Sequence, residues 1–356
     1  MLYEILKTNY DYKIGIESLI VAALVFAVTV LLGRFIIPVL RAKKANQPIN
    51  SYVAEHASKS GTPTMGGICF IIASLVVMLI WVLLETTGFI GQGGGAGELI
   101  PLALTLCLGV GNAMIGFIDD YKKLIKKDNE GLSEKQKLIL QAVVAAAYIA
   151  MMAMTDNLPT AFHIPFTSIH LDLGFFAYPA YLLVIVGFVN STNITDGLDG
   201  LASSVGVASS LGIILMSMTG ASIYLSFNPT GPRYDAVVAA SLLGSLLGFL
   251  VFNHYPARVF MGDTGSLYIG GIIMGLAISS GEFIAVVIMA FVYVLDMLSS
   301  LLQRLYYKAT HGKRIFKKAP VHHHFQLCGW SEIKIVTVFF IVSAIFTALG
   351  VLGTVI

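Results

Sequence analysis

The chain of 356 residues is 56% hydrophobic and only 12% charged, and its mean hydropathy is +0.82. These values exclude a water-soluble globular protein and indicate a polytopic membrane protein. The formal net charge of +2 argues against a nucleic-acid partner. The three cysteines predict neither a disulfide framework nor a metal site.

Ten apolar runs are long enough to cross the roughly 30 Å of hydrocarbon in a bilayer. They predict helices at residues 16–40, 66–88, 99–118, 138–155, 175–192, 200–220, 236–253, 265–281, 283–307 and 333–355. The first run lacks a small-residue cleavage pattern, so we expect a retained span rather than a signal peptide. The expected fold is therefore all-α and polytopic, with residues 1–356 in a single integral-membrane domain.

Basic residues are concentrated in the loops that follow the odd-numbered predicted helices. These loops contain Arg41, Lys43, Lys44, Lys59, Lys122, Lys123, Lys126, Lys127, Lys135, Lys137, Arg258, Lys308, Lys313, Arg314, Lys317 and Lys318. The segments on the other side have only Lys7, Lys13 and Arg233. Because short cytoplasmic loops carry an excess of Lys and Arg, we expect these loops in the cytoplasm and both termini outside.

Two segments of the outer side carry no strong chemical signal. The glycine-rich stretch 91–97 is typical of a flexible linker rather than a phosphate cradle at this location. Residues 156–174, which include His163, His170 and Asp172, predict a short amphipathic or strand-like cover.

The stretch 190–201, NSTNITDGLDGL, places two carboxylates, two amides and two glycines at the end of an apolar run. Polar residues at a membrane span are unfavourable unless they serve a function. If the turn continues as helix, Asp196 and Asp199 project from one face, and Gly197 and Gly200 allow the backbone to approach a bound group. The alternative is a polar turn with Asn or Asp as a helix cap.

Three predicted helix ends bring carboxylates to the cytoplasmic membrane surface. One pair follows the third helix directly, a second pair follows the fifth, and a single carboxylate precedes the eighth. The residues are Asp119, Asp120, Asp196, Asp199 and Asp263. The alternative is that they are ordinary solvated residues at capped helix ends.

Such a cluster requires protonation or a bound cation, because neighbouring carboxylates repel. Oxygen ligands beside glycine turns favour Mg²⁺, which takes one or two carboxylates and completes its shell with phosphate oxygens and water. The chemistry indicated is phosphoryl transfer on a diphosphate, in which metal and lysine neutralise charge on the oxygens.

The last cytoplasmic loop is basic and contains His322, His323 and His324 in succession. No spacing in this loop favours zinc. A histidine-rich basic segment suits hydrogen bonds to phosphate or sugar oxygens. A solvated loop that touches anionic lipid is the alternative, although it leaves the triple histidine unexplained.

Two further segments admit two interpretations each. In the segment 59–67, Lys59 or Thr64 could contact a phosphate or nucleotide, or the segment could be only the entry to the second helix. Asp296, Ser299, Ser300 and Gln303 recur at helical spacing within the ninth predicted span. This polar seam could line the site or bond a neighbouring helix.

Five motifs occur in order on the predicted cytoplasmic face. They are TPTMGG at 62–67, DDYKK at 119–123, N-x-x-N-x-x-D-G-L-D-G-L at 190–201, FMGDxGS at 260–266 and PxHHH at 320–324. Together they resemble the polyprenyl-phosphate N-acetylhexosamine-1-phosphate transferases, over essentially the whole chain. Within that family the chain is similar to the bacterial enzymes that act on a muramoyl-pentapeptide donor.

The resemblance implies transfer of phospho-MurNAc-pentapeptide from UDP-MurNAc-pentapeptide to undecaprenyl phosphate, which releases UMP and forms lipid I. It further implies Mg²⁺ as cofactor, contact with membrane lipid, a homodimer, and a multi-pass location in the bacterial cytoplasmic membrane.

The resemblance also implies roles for individual residues. Asp263 matches the Mg²⁺ ligand, and Asp196 matches a catalytic residue. Asp119 and Asp120 match residues that help to hold the metal and activate the lipid phosphate, with Asp119 as the base. The three histidines match a loop that engages the sugar phosphate. Residues expected at or near the substrates are Lys59, Thr64, Lys123, Asn190, Asn193, Asp199, Asn253, Phe260, Gly262, Ser266 and Gln303.

The chain departs from the family pattern at two places. Gln326 stands where the family usually has an acidic residue, and Asn190-Ser-Thr replaces a more apolar Asn-Ala-Val. Two alternative functions remain at this point: transfer of GlcNAc-1-phosphate from UDP-GlcNAc, and cation-coupled transport. Transporters place such carboxylates near the midplane on broken helices, whereas here they lie at helix ends.

Overall fold

The fold is described from a computed structural model, which describes residues 2–43, 61–90, 97–126, 131–219 and 231–355, without the side chains of residues 2–11 and 126. Helices dominate, as the apolar runs predict. The candidate substrate residue Lys59 and most of the 91–97 stretch lie outside the described residues.

Twelve α-helices and one short 3-10 helix (Gly174–Phe176) occur in the described part of the chain. The α-helices are α1 (Leu2–Ala42), α2 (Gly67–Thr86), α3 (Ile100–Lys126), α4 (Glu134–Met154), α5 (Ala177–Thr195), α6 (Leu201–Met218), α7 (Gly231–Asn253), α8 (Gly262–Ser279), α9 (Phe283–Met289), α10 (Phe291–Ala309), α11 (Val321–Gln326) and α12 (Glu332–Gly353). Two three-residue strands, β1 (Ala161–His163) and β2 (His170–Asp172), pair antiparallel. This hairpin confirms the strand-like cover predicted for residues 156–174.

Each of the ten predicted spans holds a helix, but not all of these helices are long and apolar enough to be candidate membrane spans. Among the described residues, eight helices are long and apolar enough to cross a membrane, or nine if α9 and α10 count as one bent span. The predicted ninth helix is thus a pair bent by 79°. α8 is not among these candidate spans; its first turn is polar, and it contains Gly265, Gly270, Gly271 and Gly275.

Two helices begin or end further into the polar segments than hydropathy predicts. α3 continues past Ile118 to Lys126, so Asp119 and Asp120 lie within the helix rather than after it. An ion pair of 2.6 Å between Asp119 and Lys123, four residues apart, helps to extend it. α8 begins at Gly262, which places Asp263 in its first turn, where a carboxylate is favourable.

α8 is the central helix, and every residue from Thr264 to Ile278 is buried. Glycines allow α3 to approach it closely. A Cβ at Gly116 would lie 2.2 Å from the backbone oxygen of Asp263, and one at Gly271 would lie 2.8 Å from the Cα of Gly109. Small residues allow membrane helices to pack this closely. The position of Asp263 relative to α3 is therefore set by backbone contact.

The ends of the helices remote from the carboxylates have their own polar network. Arg233 of α7 pairs with Glu17 of α1 at 2.7 Å and with Glu85 of α2 at 2.8 Å. The indole of Trp81 donates to Glu17 at 2.7 Å. Three helices are thus joined at this end around one guanidinium, whose planar donors suit two carboxylates.

Candidate active site

The first turn of α8 is bound by the carboxylate of Asp120 on α3. Asp120 accepts hydrogen bonds from the backbone nitrogens of Asp263 at 3.2 Å and Thr264 at 2.9 Å, and from the Thr264 hydroxyl at 2.7 Å. These are donors that a helix N-terminus leaves free. Asp120 therefore acts as a cap in trans that fixes Asp263 beside α3.

Gly262 permits this contact. Its φ of +75° lies in the left-handed region, and a Cβ there would lie 2.6 Å from Oδ2 of Asp120 and 3.0 Å from the Thr64 hydroxyl. Thr64 itself is buried. The predicted substrate residues Gly262 and Thr64 thus lie together at the carboxylate cluster.

The TPTMGG segment is fixed by backbone hydrogen bonds to the segment that precedes α8. The nitrogens of Gly66 and Gly67 donate to the carbonyls of Phe260 and Met261 at 2.9 and 3.0 Å, and the nitrogen of Phe260 donates to the carbonyl of Pro63 at 2.8 Å. The two motifs form one wall of the site. The partly buried Phe260 lies in this wall.

Two lysines lie between the carboxylates of Asp119 and Asp263. Lys123 is 2.6 Å from Asp119 and 3.4 Å from Asp263, and Lys137 is 3.0 Å from Asp119 and also pairs with Asp263. The backbone nitrogen of Leu132 donates to Asp119 at 2.6 Å. Lys137 was not among the predicted site residues, because the sequence shows it only as one of several lysines in a cytoplasmic loop.

α5 contributes an amide and a hydroxyl group that bond the first turns of α8. The side-chain nitrogen of Asn193 donates to Asp263 at 2.8 Å and to the Ser266 hydroxyl at 2.9 Å. The Thr192 hydroxyl donates to the Ser266 carbonyl at 2.8 Å. Asn193 and Ser266 therefore lie beside Asp263, where Asn193 orients the carboxylate rather than projecting freely.

The turn between α5 and α6 corrects one expectation. α5 ends at Thr195 and Gly200 adopts a left-handed φ of +79°, so Asp196 and Asp199 do not share a helix face. Asp199 accepts from the nitrogen of Ala257 at 2.9 Å, while its own nitrogen donates to Glu332 at 2.6 Å. Its carboxylate holds the loop that follows α7 and is not part of the acidic cluster.

The carboxylate of Asp196 interacts electrostatically with the acidic cluster. Burial, together with the negative charges of Asp263, Asp120 and Asp199, raises the pKa of Asp196 well above that of a solvated aspartate. Among the described residues, none donates a hydrogen bond to its carboxylate. A cation or a protonated substrate group would relieve this repulsion.

Asn253 joins the two loops that border the cluster. Its side-chain oxygen accepts from the nitrogen of Gly200 at 3.1 Å, and its side-chain nitrogen donates to the carbonyl of Val259 at 3.0 Å. The predicted substrate residue Asn253 is buried, and in the structure it holds the two loops together.

The acidic cluster fits a divalent cation. Asp119, Asp120 and Asp263 each offer one carboxylate oxygen, and these oxygens lie within 4.8 Å of one another. An all-oxygen donor set is what Mg²⁺ prefers. Lys123 and Lys137 reduce the net negative charge of the cluster. An anionic phosphate would therefore be repelled less if it bound beside a metal ion at this site.

The three histidines face different partners from the short helix α11. His322 is fully buried, and its Nδ1 is 2.9 Å from Asp296 of α10. His323 Nδ1 is 2.7 Å from Oε1 of Gln326, and His324 Nδ1 accepts from the nitrogen of Lys317 at 3.1 Å. The histidines therefore do not point at one common ligand.

The polar seam on α10 bonds the loop that leads to the histidines. Ser299 accepts from the nitrogen of Val321 at 2.9 Å. Gln303 accepts from the nitrogens of Ile315 and Phe316 at 2.9 and 3.0 Å. In the structure the side-chain oxygen of Gln303, a predicted substrate residue, therefore stabilises this loop by hydrogen bonds. Asn190, also predicted to lie near the substrates, bonds α4 instead: its side-chain nitrogen donates to Gln141 at 2.7 Å.

Two family models match parts of the chain that contain these motifs. Residues 102–281 match the model of glycosyl transferase family 4. Residues 59–71 match the first signature of phospho-N-acetylmuramoyl-pentapeptide-transferases, which includes the TPTMGG segment.

Curated relatives match nearly the whole chain. The phospho-N-acetylmuramoyl-pentapeptide-transferase of Desulfitobacterium hafniense is 40% identical over 93% of this chain and 96% of its own length. The proteins of the same name from Clostridium perfringens and Bacillus subtilis are each 40% identical, over 96% and 92% of this chain and 97% and 94% of their own lengths. The chain therefore belongs to the phospho-N-acetylmuramoyl-pentapeptide-transferase family, within glycosyl transferase family 4.

Proposed function

We propose that the protein transfers phospho-MurNAc-pentapeptide from UDP-MurNAc-pentapeptide to undecaprenyl phosphate, forming lipid I and UMP in peptidoglycan synthesis. The observation that carries the proposal is the cluster of Asp119, Asp120 and Asp263 with two lysines at one end of the helix bundle. Family membership supports the choice of substrates.

We assign Mg²⁺ to this cluster, with Asp263 as the principal ligand and Asp119 and Asp120 beside it. The ion supplies charge neutralisation on the phosphate oxygens when it is bound. Asn193 and Asp120 hold the first turn of α8, and therefore Asp263, in place before any substrate binds. Lys123 and Lys137 stabilise negative charge that develops on the diphosphate.

The transfer is proposed as a single displacement. An oxygen of the lipid phosphate forms a bond to the β-phosphorus of the donor, and the bond between that phosphorus and the oxygen of UMP breaks. Asp119 assists as base where the acceptor arrives protonated. The charged acceptor is already a competent nucleophile, so no covalent enzyme intermediate is required. Trapping a phosphorylated Asp196 in a single turnover would overturn this order of events.

The remaining predicted residues are proposed to surround the nucleotide and sugar. Thr64, Asn253, Phe260 and Asp199 border the site, and we place Lys59 there by its motif alone. We assign the histidine segment to the sugar phosphate.

We further propose the bacterial cytoplasmic membrane as the location, with the carboxylates on the cytoplasmic side, both termini outside and residues 1–356 as one integral-membrane domain. The asymmetric basic loops support this orientation. In this arrangement the lipid reaches the site from the bilayer and the nucleotide from the cytosol. We propose a homodimer as the working assembly, to be tested by light scattering in detergent.

The decisive assay is UMP release by purified protein given UDP-MurNAc-pentapeptide and undecaprenyl phosphate, with and without Mg²⁺. Release is expected to require both the lipid and Mg²⁺, and Asp263→Ala is expected to abolish it. Release from UDP-GlcNAc alone would instead assign a GlcNAc-1-phosphate transferase. Failure with both donors would reject the proposed transfer.

A further inference from the structure

We propose that Asp296 is a positioning residue that acts through His322, by directing Nε2 of that imidazole to an oxygen of the transferred sugar phosphate. This inference rests on the proposed function. It assigns the substrate contact to the first of the three histidines, and to one of its two ring nitrogens.

The Asp296–His322 pair is completely buried. Oδ2 of Asp296 and Nδ1 of His322 are 2.9 Å apart, and neither side chain is accessible to solvent. A carboxylate accepts a hydrogen bond, so Nδ1 carries the proton and the tautomer of the ring is set by its partner. The second nitrogen, Nε2, is then the one available to a ligand.

Nε2 of His322 points at the backbone of Gly197. A Cβ at that position would lie 2.5 Å from Nε2 of His322. Gly197 is next to Asp196 in the turn between α5 and α6, so the imidazole enters the turn through the space that the absent side chain leaves. The glycine is needed here for close approach rather than for an unusual backbone angle.

Nε2 has no hydrogen-bond partner among the described residues, although it is buried. Buried polar groups are nearly always satisfied, and one that is not requires an explanation. A nitrogen that faces the Asp196 turn and has no protein partner is the arrangement expected where the partner is a substrate atom.

The other two histidines lack this arrangement. His323 faces the neutral amide oxygen of Gln326, and Nδ1 of His324 accepts from a backbone nitrogen. His322 is therefore the histidine of the triplet whose Nδ1 faces a carboxylate within the described chain. Because Nδ1 donates to the carboxylate, Nε2 donates to a phosphate oxygen only when both ring nitrogens carry protons, and the carboxylate of Asp296 then balances the positive charge of the ring.

Neighbouring contacts make α10 a rigid support for this pair. Three residues further along α10, Ser299 accepts from the nitrogen of Val321, which precedes His322 directly. The backbone and the side chain of the histidine segment are thus held by the same helix face.

A double-mutant cycle tests the proposal. Asp296→Asn keeps the size of the side chain but removes the charge and allows the amide to favour the wrong tautomer. We expect it to reduce kcat/KM for the UDP-linked donor at least tenfold, mainly through kcat, with little change in the KM for undecaprenyl phosphate. His322→Gln is expected to cause a similar or larger loss.

The two effects should not multiply. In the His322→Gln background, Asp296→Asn is expected to change kcat/KM less than twofold, because the residue through which it acts is gone. If the losses multiply instead, Asp296 has a general structural role and the proposal is wrong. Wild-type activity in Asp296→Asn would also overturn it.

Two further variants complete the design. Asp296→Glu keeps the carboxylate and is expected to retain more activity than Asp296→Asn; it carries the same cycle if the Asn variant does not fold. Asp235→Asn is the control, because it removes another buried carboxylate. Asp235 of α7 accepts a hydrogen bond from Ser279 of α8 and does not contact the histidines, so this variant is expected to leave kcat unchanged. Failure of the wild type to release UMP would reject the proposed function and not this pair in particular.

Discussion

The ammonium group of Lys137 lies between the carboxylates of Asp119 and Asp263, which belong to two different helices. Without it the two anions repel across α3 and α8. Lys137→Gln is therefore expected to lower the rate of UMP release at least tenfold, while Lys137→Arg retains a measurable part of it.

The matched control is Lys135→Gln, two residues earlier on α4 and exposed. It changes the net charge by the same amount without touching the carboxylates. A Lys137→Gln rate equal to that of the control would show that the ion pairs are irrelevant to transfer.

Close packing of α3 on α8 predicts sensitivity at Gly116. In Gly116→Ala the new Cβ would lie 2.2 Å from the backbone oxygen of Asp263, which cannot move unless α8 shifts. Such overpacking typically lowers stability by about 1–3 kcal/mol. We expect a lower melting temperature in detergent and a larger fractional loss of activity, because Asp263 moves with α8.

Gly97→Ala serves as the control, since a Cβ there meets nothing within 4 Å. It is expected to melt and to react like the wild type. Unchanged activity in Gly116→Ala would mean that the metal site tolerates movement of α8.

The network around Arg233 predicts a stability effect that is separate from activity. Arg233→Met leaves Glu17 and the buried Glu85 without their cation. Removal of one partner of a buried ion pair typically costs about 3–5 kcal/mol. We expect a large drop in melting temperature, with near-normal activity in the fraction that remains folded.

A second substitution tests the cause. Adding Glu85→Gln to Arg233→Met should restore part of the stability, because one uncompensated charge is removed. If the double variant is less stable than Arg233→Met, the loss comes from packing against Trp81 rather than from charge.

The pair formed by His163 of β1 and Glu282 predicts a pH-dependent stability. Burial disfavours the charged imidazole, but the hydrogen bonds to Glu282 and to the Thr167 carbonyl outweigh it, so the pKa of His163 is raised. The stabilisation is therefore complete below the unfolded pKa of about 6.5. It is lost as the pH rises through the higher native pKa.

His163→Gln is accordingly expected to lower the melting temperature most near pH 5.5 and least near pH 8.5. Melting curves of the wild type and the variant at both pH values give the comparison. His254→Gln, at an exposed loop residue, is the matched substitution away from this pair. A constant difference between wild type and His163→Gln would contradict the assignment.

Several elements of the site could be predicted from the sequence because each motif adjoins an apolar run. Three predicted helices have an end on the same side of the membrane, which brings together Asp119, Asp120, Asn193 and Asp263. Hydropathy predicts the helices, and the basic loops predict the side on which these ends lie. The end of α3 could not be placed in this way, since hydropathy stops at Ile118 while the helix continues through charged residues to Lys126.

Other contacts depend on packing that no local pattern reveals. Lys137 reaches the carboxylates only because α4 folds back beside α3, and its sequence context is the same as that of its exposed neighbour Lys135. The alternatives for Asp296 remained open because its partner, His322, is 26 residues away and on another helix. Only the fold shows that the α10 seam holds the histidine segment.

The burial of α8 from Thr264 to Ile278 separates this helix from the surrounding lipid. From Thr264 to Ile278 this helix offers no side chain to acyl chains, so a change in bilayer thickness acts on the outer helices and reaches α8 only through them. Membrane proteins normally accommodate such mismatch by tilting. Because α8 meets α3 in direct backbone contact at Gly109 and Gly271, we expect the two helices to tilt together. Growth conditions that alter lipid length should therefore leave the spacing of Asp120 and Asp263 unchanged.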